Sequence, residues 1–380
     1  MKVGGTRARL ARLFEPRTLP GRVLLGTLVL GAIVLLLCLI GLTLSSSTLV
    51  TIFLINLVAV VGLGVFVGNS GVLSFGHAGF MGLAAYASGI LSMDPVVRDT
   101  ILTTFPEALS GISLPLGLAF IAALGLVGVL ALVSGLAISV LPRDAAAIAT
   151  LGVLVIVNVT LLASEDVTSG AQPLYGVTVE LTWGLALVFA LLAITVARLF
   201  RESRTGLQLR ASREDELAAE AFGVNVRAVR LQSWVLSGVI AGTAGAMLGH
   251  FLGAFSPGQF YLTATISIVA MLIVGGATTV SGAVMGTALV TVVTEVLSRF
   301  ENGTSIGPVD LPELFGLPTL GLAVVLVATM YFRRDGLIGK REIDVLIARR
   351  LRAGRPTPTP ATATGGLPEL DDGVAAAERS

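Results

Sequence analysis

Ten apolar runs alternate along this chain with short polar stretches, at about residues 22–42, 48–67, 72–92, 114–141, 145–163, 179–199, 231–252, 263–280, 283–298 and 318–332. Each approaches the roughly 20 residues that an α-helix needs to cross the hydrocarbon core. No water is available there to satisfy backbone amides, so runs of this length must be helical. The pattern predicts an all-α fold, a polytopic transmembrane helix bundle of about ten spans, with polar residues blurring the boundaries near 68–72 and 280–283. Of the 380 residues, 54% are hydrophobic and 13% charged, a balance that excludes a soluble globular domain of this length.

Charge adds sidedness. Of the 25 Lys and Arg, six lie in residues 1–22, seven in 198–230 and nine from Arg333 onward, leaving Arg98, Arg143 and Arg299. The positive-inside rule makes the three basic blocks cytoplasmic. Both termini then lie inside, and the segments 93–113, 164–178, 253–262 and 299–317, which carry Asp94, Glu107, Glu165, Asp166, Asp310 and Glu313, lie outside. The expected organisation is a basic N-terminal segment 1–21, a transmembrane domain 22–333 with a cytoplasmic loop 200–230, and a basic segment with a disordered tail over 334–380. The first apolar run is longer than a signal-peptide core and lacks a small-x-small cut site at its end. Leu337–Arg352 has helical apolar spacing among basic residues, suited to an anionic inner leaflet. From Gly354 on, Pro, Thr, Ala and Gly leave too little apolar surface to fold. Trp183 and Trp234 fall at span ends, where indoles sit at headgroup level. The single cysteine, Cys38, is a packing residue in the first run and permits no internal disulfide.

Two membrane segments are too polar or too glycine-rich for lipid-facing helices. Gly68–Tyr86 places five glycines with Asn69, Ser70, Ser74 and His77 within fifteen residues. Polar groups at membrane depth are tolerated only when buried in protein or lining a cavity. Gly76, Gly79 and Gly82 share a helical face, leaving room for another backbone or for a solute. Both readings stay open, and for His77 a structural hydrogen bond comes before solute contact. Ile273–Gly286 breaks a second long run at Gly275 and Gly276. Glycine breaks in both halves point to the pathway in repeat-built transporters, so Asn69, Ser70, Ser74, Gly76, His77, Gly79, Tyr86, Gly275 and Gly276 are the candidate translocation path. His250 reads as interfacial and Glu295 as close enough to the outer surface to reach water.

Residues 201–230 form the only long charged stretch inside the apolar region. Ser212 suits an N-cap with Asp215 at the third helical position; Glu214, Asp215 and Glu216 suit a positive helix start, and Gly223 suits a left-handed stop. Leu217, Ala218, Ala221 and Phe222 share one face. A helix of about ten residues is not stable alone, so this apolar stripe asks for a partner groove. Ser212, Arg213, Glu214, Asp215, Glu216, Leu217, Ala218, Ala219, Phe222 and Gly223 are the docking candidates. No Gly-x-x-x-x-Gly-Lys-Ser/Thr loop exists to cradle a nucleotide phosphate. Two histidines, one cysteine and no paired acids at one membrane depth argue against an enzyme, a metal site or a bound cofactor, and nothing points to nucleic acid.

Gly71-Val-Leu-Ser-Phe-Gly-His-Ala-Gly-Phe80, with Gly82 and Tyr86, resembles the signature of permease subunits of branched-chain amino acid ABC importers, of the longer permease type. Arg213–Gly223 is similar to that family's cytoplasmic loop, with Ala218, Ala219 and Gly223 keeping its Ala-Ala-x-x-x-Gly spacing, and Ser267, Ile268, Gly275, Gly276, Gly282 and Gly286 are similar to its late block. Thr168-Ser-Gly170 departs from the usual Thr-Gly-Gly, and Arg334 stands where a terminal proline is expected. The resemblance implies a bacterial inner-membrane permease that pairs with a second permease, receives solute from an external binding protein and is driven by two cytoplasmic ATPases that hydrolyse the ATP. Related permeases handle urea, short amides or other small solutes. An ATP-independent transporter or channel would need coupling-ion groups in the membrane, where Asn56, His77, Asn158 and Glu295 are the few available, and a non-transporting scaffold is the third alternative.

Overall fold

The computed structural model describes residues 19–44, 46–102, 105, 111, 113–301, 305–306, 309–310, 316–333, 335–339 and 342. Most of the basic N-terminal segment and nearly all of 340–380, including most of the amphipathic stretch and the whole Pro/Thr-rich tail, lie outside the described residues.

All ten apolar runs are helical: α1 (Leu19–Leu44), α2 (Ser47–Ser70), α3 (His77–Ser92), α5 (Leu116–Ile138), α6 (Arg143–Ala163), α8 (Trp183–Glu202), α11 (Val226–Leu252), α12 (Leu262–Gly275), α13 (Val280–Glu301) and α14 (Leu317–Phe332). Short helices α4 (Pro95–Ile101), α7 (Glu165–Thr168), α9 (Arg204–Glu214) and α10 (Glu216–Ala221) lie between them. The protein is an all-α polytopic bundle in which eight helices, α12 counted with the 3-10 turn Pro257–Phe260 before it, are long and apolar enough to cross a membrane. The other two, α3 and α14, have 16 residues each, or about 24 Å of rise, short of the ~30 Å core. The run at 72–92 yields a short helix because residues 71–76 are irregular and not helical. Among the described residues, sheet is confined to two-residue pairs: β1 (Leu174–Tyr175) antiparallel to β2 (Ala254–Phe255), and β3 (Ser305–Ile306) antiparallel to β4 (Val309–Asp310).

The core is organised around α2, which packs against α11, α8, α13 and α12. In α2, 18 of 24 residues are buried, against 7 of 23 in α5 and 6 of 21 in α6, and these two present Ile121, Ile148 and Ile156 outward. Close approach replaces hydrophobic drive where lipid is the solvent. At Gly62 of α2 an added Cβ would lie 2.9 Å from the Ala241 backbone nitrogen of α11.

Candidate functional site

α9 and α10 form an arm between α8 and α11. The expected N-cap is displaced. Ser212 lies inside α9, buried, with its hydroxyl donating to the Leu209 carbonyl at 2.8 Å, and Asp215 is itself the cap, extended at φ −149° and ψ 114°, its Oδ1 accepting from the Ala218 amide at 3.0 Å. Leu209 and Ser212 pack inward, and Arg143 donates to the carbonyls of Ser212 and Arg213 at 2.7 and 2.6 Å. These contacts extend α9 through Glu214 and shift the break to Asp215, an equally good cap. At the other end Gly223 is left-handed at φ +82°. Its amide donates to the Glu220 carbonyl at 2.9 Å and the Val224 amide to that of Ala219 at 3.1 Å, the paired bonds of a Schellman stop. Ala219 faces inward, whereas Leu217, Ala218, Ala221 and Phe222 face water, Leu217 at 79% and Phe222 at 90% exposure.

Arginines bind this arm to the bundle. Arg230, buried on α11, donates through Nη2 to both carboxylate oxygens of Glu216 at 3.1 Å and through Nη1 to the Leu141 carbonyl at 2.9 Å. Such two-pronged pairing fixes orientation as well as position. Arg213 donates to the Gly68 carbonyl at 2.9 Å, and its stem lies over Gly71. The arm therefore rests directly on the end of α2, where the glycine-rich segment begins.

That segment is irregular and closed. Backbone groups of 71–76 find side-chain partners: the Val72 amide donates to Ser70 Oγ at 3.1 Å, the Phe75 amide to Thr150 Oγ1 at 3.0 Å and the Gly76 amide to Ser74 Oγ at 3.4 Å. This satisfies the rule that non-helical backbone at membrane depth be paired within protein. Asn69 Nδ2 donates to the Val65 carbonyl at 2.8 Å and Ser70 Oγ to that of Phe66 at 2.7 Å. His77 is joined through Nδ1 to Ser74 Oγ at 2.9 Å and through Nε2 to Ser237 Oγ at 3.0 Å. Its ring stands edge-on to Trp234 with centroids 5.2 Å apart. Trp234 is wholly buried, donating to Ser134 Oγ at 3.1 Å, so it is a pillar of the core and not a headgroup-level anchor; the α5, α2 and α3 side chains around it exclude the interface. His250, expected at the interface, is also fully buried, with Nδ1 3.0 Å from the Thr178 carbonyl and its ring beside Phe120. Tyr86 is buried edge-on to Phe255 with centroids 5.0 Å apart. A Cβ at Gly76 would stand 2.8 Å from the Thr150 carbonyl oxygen, and one at Gly79 3.4 Å from Leu154 Cα. These glycines seat α3 against α6. Glu295 at the far end of α13 pairs with Arg299 at 3.0 Å, half-exposed.

The break at Gly275 and Gly276 separates α12 from α13, with Gly276 at φ +112°. The chain beyond α14 returns to it: the Leu337 amide donates to the Val274 carbonyl at 3.0 Å and the Ile338 amide to that of Gly275 at 3.3 Å. Glu342, buried, then accepts from the Val280 and Ser281 amides at 2.9 and 3.1 Å, the first turn of α13, and from the Ser281 hydroxyl. Arg198 Nη1 and Arg201 Nε, in the last turns of α8, lie 3.2 Å from its two oxygens. Burial pushes the Glu342 carboxyl up, but the guanidiniums of Arg201 and Arg198, with the Ser281 hydroxyl and Val280 amide, outweigh it and hold the carboxyl below its ordinary value.

With the geometry in place, comparison decides the family. The model described as "branched-chain amino acid transport system / permease component" matches residues 44–327. The chain belongs to this permease family. It is 23% identical over 326 residues to the high-affinity branched-chain amino acid transport system permease protein LivM of Escherichia coli, covering 76% of this chain and 68% of that one. It is 34% identical over 152 residues to the probable branched-chain amino acid transport permease protein LivH of Methanocaldococcus jannaschii, covering 40% and 46%. Over 89 residues it is 40% identical to the nucleoside ABC transporter permease protein NupC of Lactococcus lactis, covering 23% and 27%. No solved structure matches.

The match covers the glycine segment, the arm and the break but ends before Glu342. Sequence reading counted Arg198, Arg201 and Arg230 as positive-inside charges, left Arg143 outside the basic blocks, and missed the contacts of all four. One signal was present: Arg198 follows an apolar run of α8 closely enough to be buried in it, and a buried arginine requires a partner. The partner, 144 residues away, has no local signature.

Proposed function

We propose that this chain is the membrane permease subunit of an ATP-driven importer of branched-chain amino acids. It would form the translocation path with a second permease and take solute from an external binding protein. Two ATPases would dock on the Leu217–Phe222 face on the cytoplasmic side of a bacterial inner membrane, with both termini on that side and lipid around the outer helices. One observation carries the coupling: a capped helix outside the spans exposes Leu217 and Phe222 to water while Arg213 and Arg230 fasten it to the bundle. Exposed apolar side chains on a rigidly held element are what a partner surface requires, and ATP hydrolysis belongs to that partner.

In the chain alone the side chains of Asn69, Ser70, Ser74, His77 and Tyr86 are buried. We place the solute path at the junction with the second permease, where the Gly68–Tyr86 segment and the Gly275–Gly276 break shape the wall through backbone position. The test is uptake of labelled leucine into proteoliposomes holding this chain with its neighbouring permease, ATPases and binding protein. ATP-dependent uptake that isoleucine and valine compete for supports the reading. Uptake of nucleosides, urea or short amides in place of leucine would overturn the solute, and uptake indifferent to ATP would overturn the coupling.

A further inference from the structure

The strongest feature outside the docking arm is the carboxylate of Glu342. A buried carboxylate is costly unless every oxygen is paired, and here two guanidiniums of α8 and two amides and a hydroxyl of α13 converge on it, so that it joins three elements. The three elements have different histories in the chain. Arg198 and Arg201 end α8, and α8 runs through Ser203 directly into the docking arm. Val280 and Ser281 open α13 just after the glycine break. Glu342 belongs to the segment beyond the last membrane helix.

Arg201 also donates to the Thr278 carbonyl inside the break, so it touches both the break and its latch. Asp335 O would lie 3.0 Å from a Cβ at Gly276, and the turn of 335–339 is laid over that glycine. Beside this junction, a cavity of about 10 Å³ lined by Asn69, Arg201, Ala277 and Thr278 has room for about one water. The break itself is closely packed, since a Cβ at Gly282 would meet the backbone oxygens of Gly275 and Gly276, and the buried charges lie against that packing.

We propose that Glu342 is a positioning residue, a latch that fastens the segment after α14 to the end of α8 and the start of α13, so that displacement of the docking arm reaches the glycine break. The inference rests on the reading of the arm as an ATPase contact, and its first test does not. Amide exchange of the full-length chain in detergent should quicken in Glu342→Gln at 275–282 and also across the arm at 203–214. Arg201→Gln should give the same pattern, and the double variant no more than the stronger single one. Quickening confined to 335–342, or additive effects, would overturn the latch. Glu342→Asp keeps the charge and should fall between wild type and Glu342→Gln; loss of folded chain as complete as in Glu342→Gln would mark a folding residue and overturn the proposal. In the assembled importer, Glu342→Gln should leave ATP hydrolysis in place and lower solute moved per ATP about tenfold, within the usual range of coupling effects. An unchanged ratio would overturn the latch, whereas a wild-type complex with ATP-independent uptake would overturn only the ATPase reading.

Discussion

The glycine segment at 68–86 and helix α10 with its stop, 216–223, are opposites in what they hide. The first lies among membrane helices and turns its polar side chains inward, so Asn69, Ser70, Ser74 and His77 are buried with hydrogen-bonding partners. The second lies outside the spans and turns apolar side chains outward, so Leu217 and Phe222 stand in water. The first obeys the rule for polar groups at membrane depth, and the second inverts the rule for apolar groups in water. Buried polar groups with partners stabilise one packing arrangement. Exposed apolar groups on a held helix cost solvation until a partner covers them. The first is therefore scaffold, the second keeps an uncovered apolar face, and Arg213, donating to the Gly68 carbonyl, joins the two.

The sharpest way to break the contrast is Gly76→Leu. With a backbone oxygen 2.8 Å from the new Cβ, we expect a cost of at least about 3 kcal/mol, at the upper end of overpacking, seen as loss of folded chain in detergent melting; a stable variant that only loses uptake would make this glycine a path residue. Arg230→Met should cost about 1–3 kcal/mol by stranding the Leu141 carbonyl and freeing Glu216, with quickened amide exchange in 204–221 and little change in α3. Gly223→Val has open space around it but must hold φ +82°. A penalty of about 1–2 kcal/mol should weaken ATPase docking several-fold, and unchanged docking would sink the left-handed stop as a requirement. Phe222→Ala should shift stability by no more than about 0.5 kcal/mol yet weaken docking by about tenfold, or about 1.4 kcal/mol; a large drop in melting temperature would show that Phe222 belongs to the fold. The smallest effect concerns pH. Because the Glu342 carboxyl is held low by Arg201 and Arg198 against its burial, its stabilisation is present above the ordinary carboxylate range and is lost as pH falls through the lower folded value. The melting difference between wild type and Glu342→Gln should stay level from pH 7 to about 4.5 and shrink below that.

Much of this was legible along the chain. Each of the ten apolar runs is a helix, because the run length needed to cross lipid is a local property. Gly223 and the exposed face of Leu217, Ala218, Ala221 and Phe222 were legible for the same reason: caps and helical faces are set within a few residues. The reading failed where a distant partner competes. Ser212 looked like a cap until Arg143, about seventy residues earlier in the chain, extended α9 past it. Trp234 and His250 sat at apparent span ends, yet neighbours from α5 and from the loop at Thr178 enclosed them.

By itself the sequence determined the class, the helices and the two unusual segments, since composition, run length and glycine spacing act through local burial and backbone freedom. Tertiary structure decided whether the polar residues of those segments face a solute or each other, and which charges are solvated and which are locked. His77 meets Ser237, Arg213 meets Gly68 and Glu342 meets Arg198 and Arg201 only when helices far apart in the chain are brought within hydrogen-bond range. At such distances along the chain, pairing is set by the packing of the whole bundle, which no local pattern encodes.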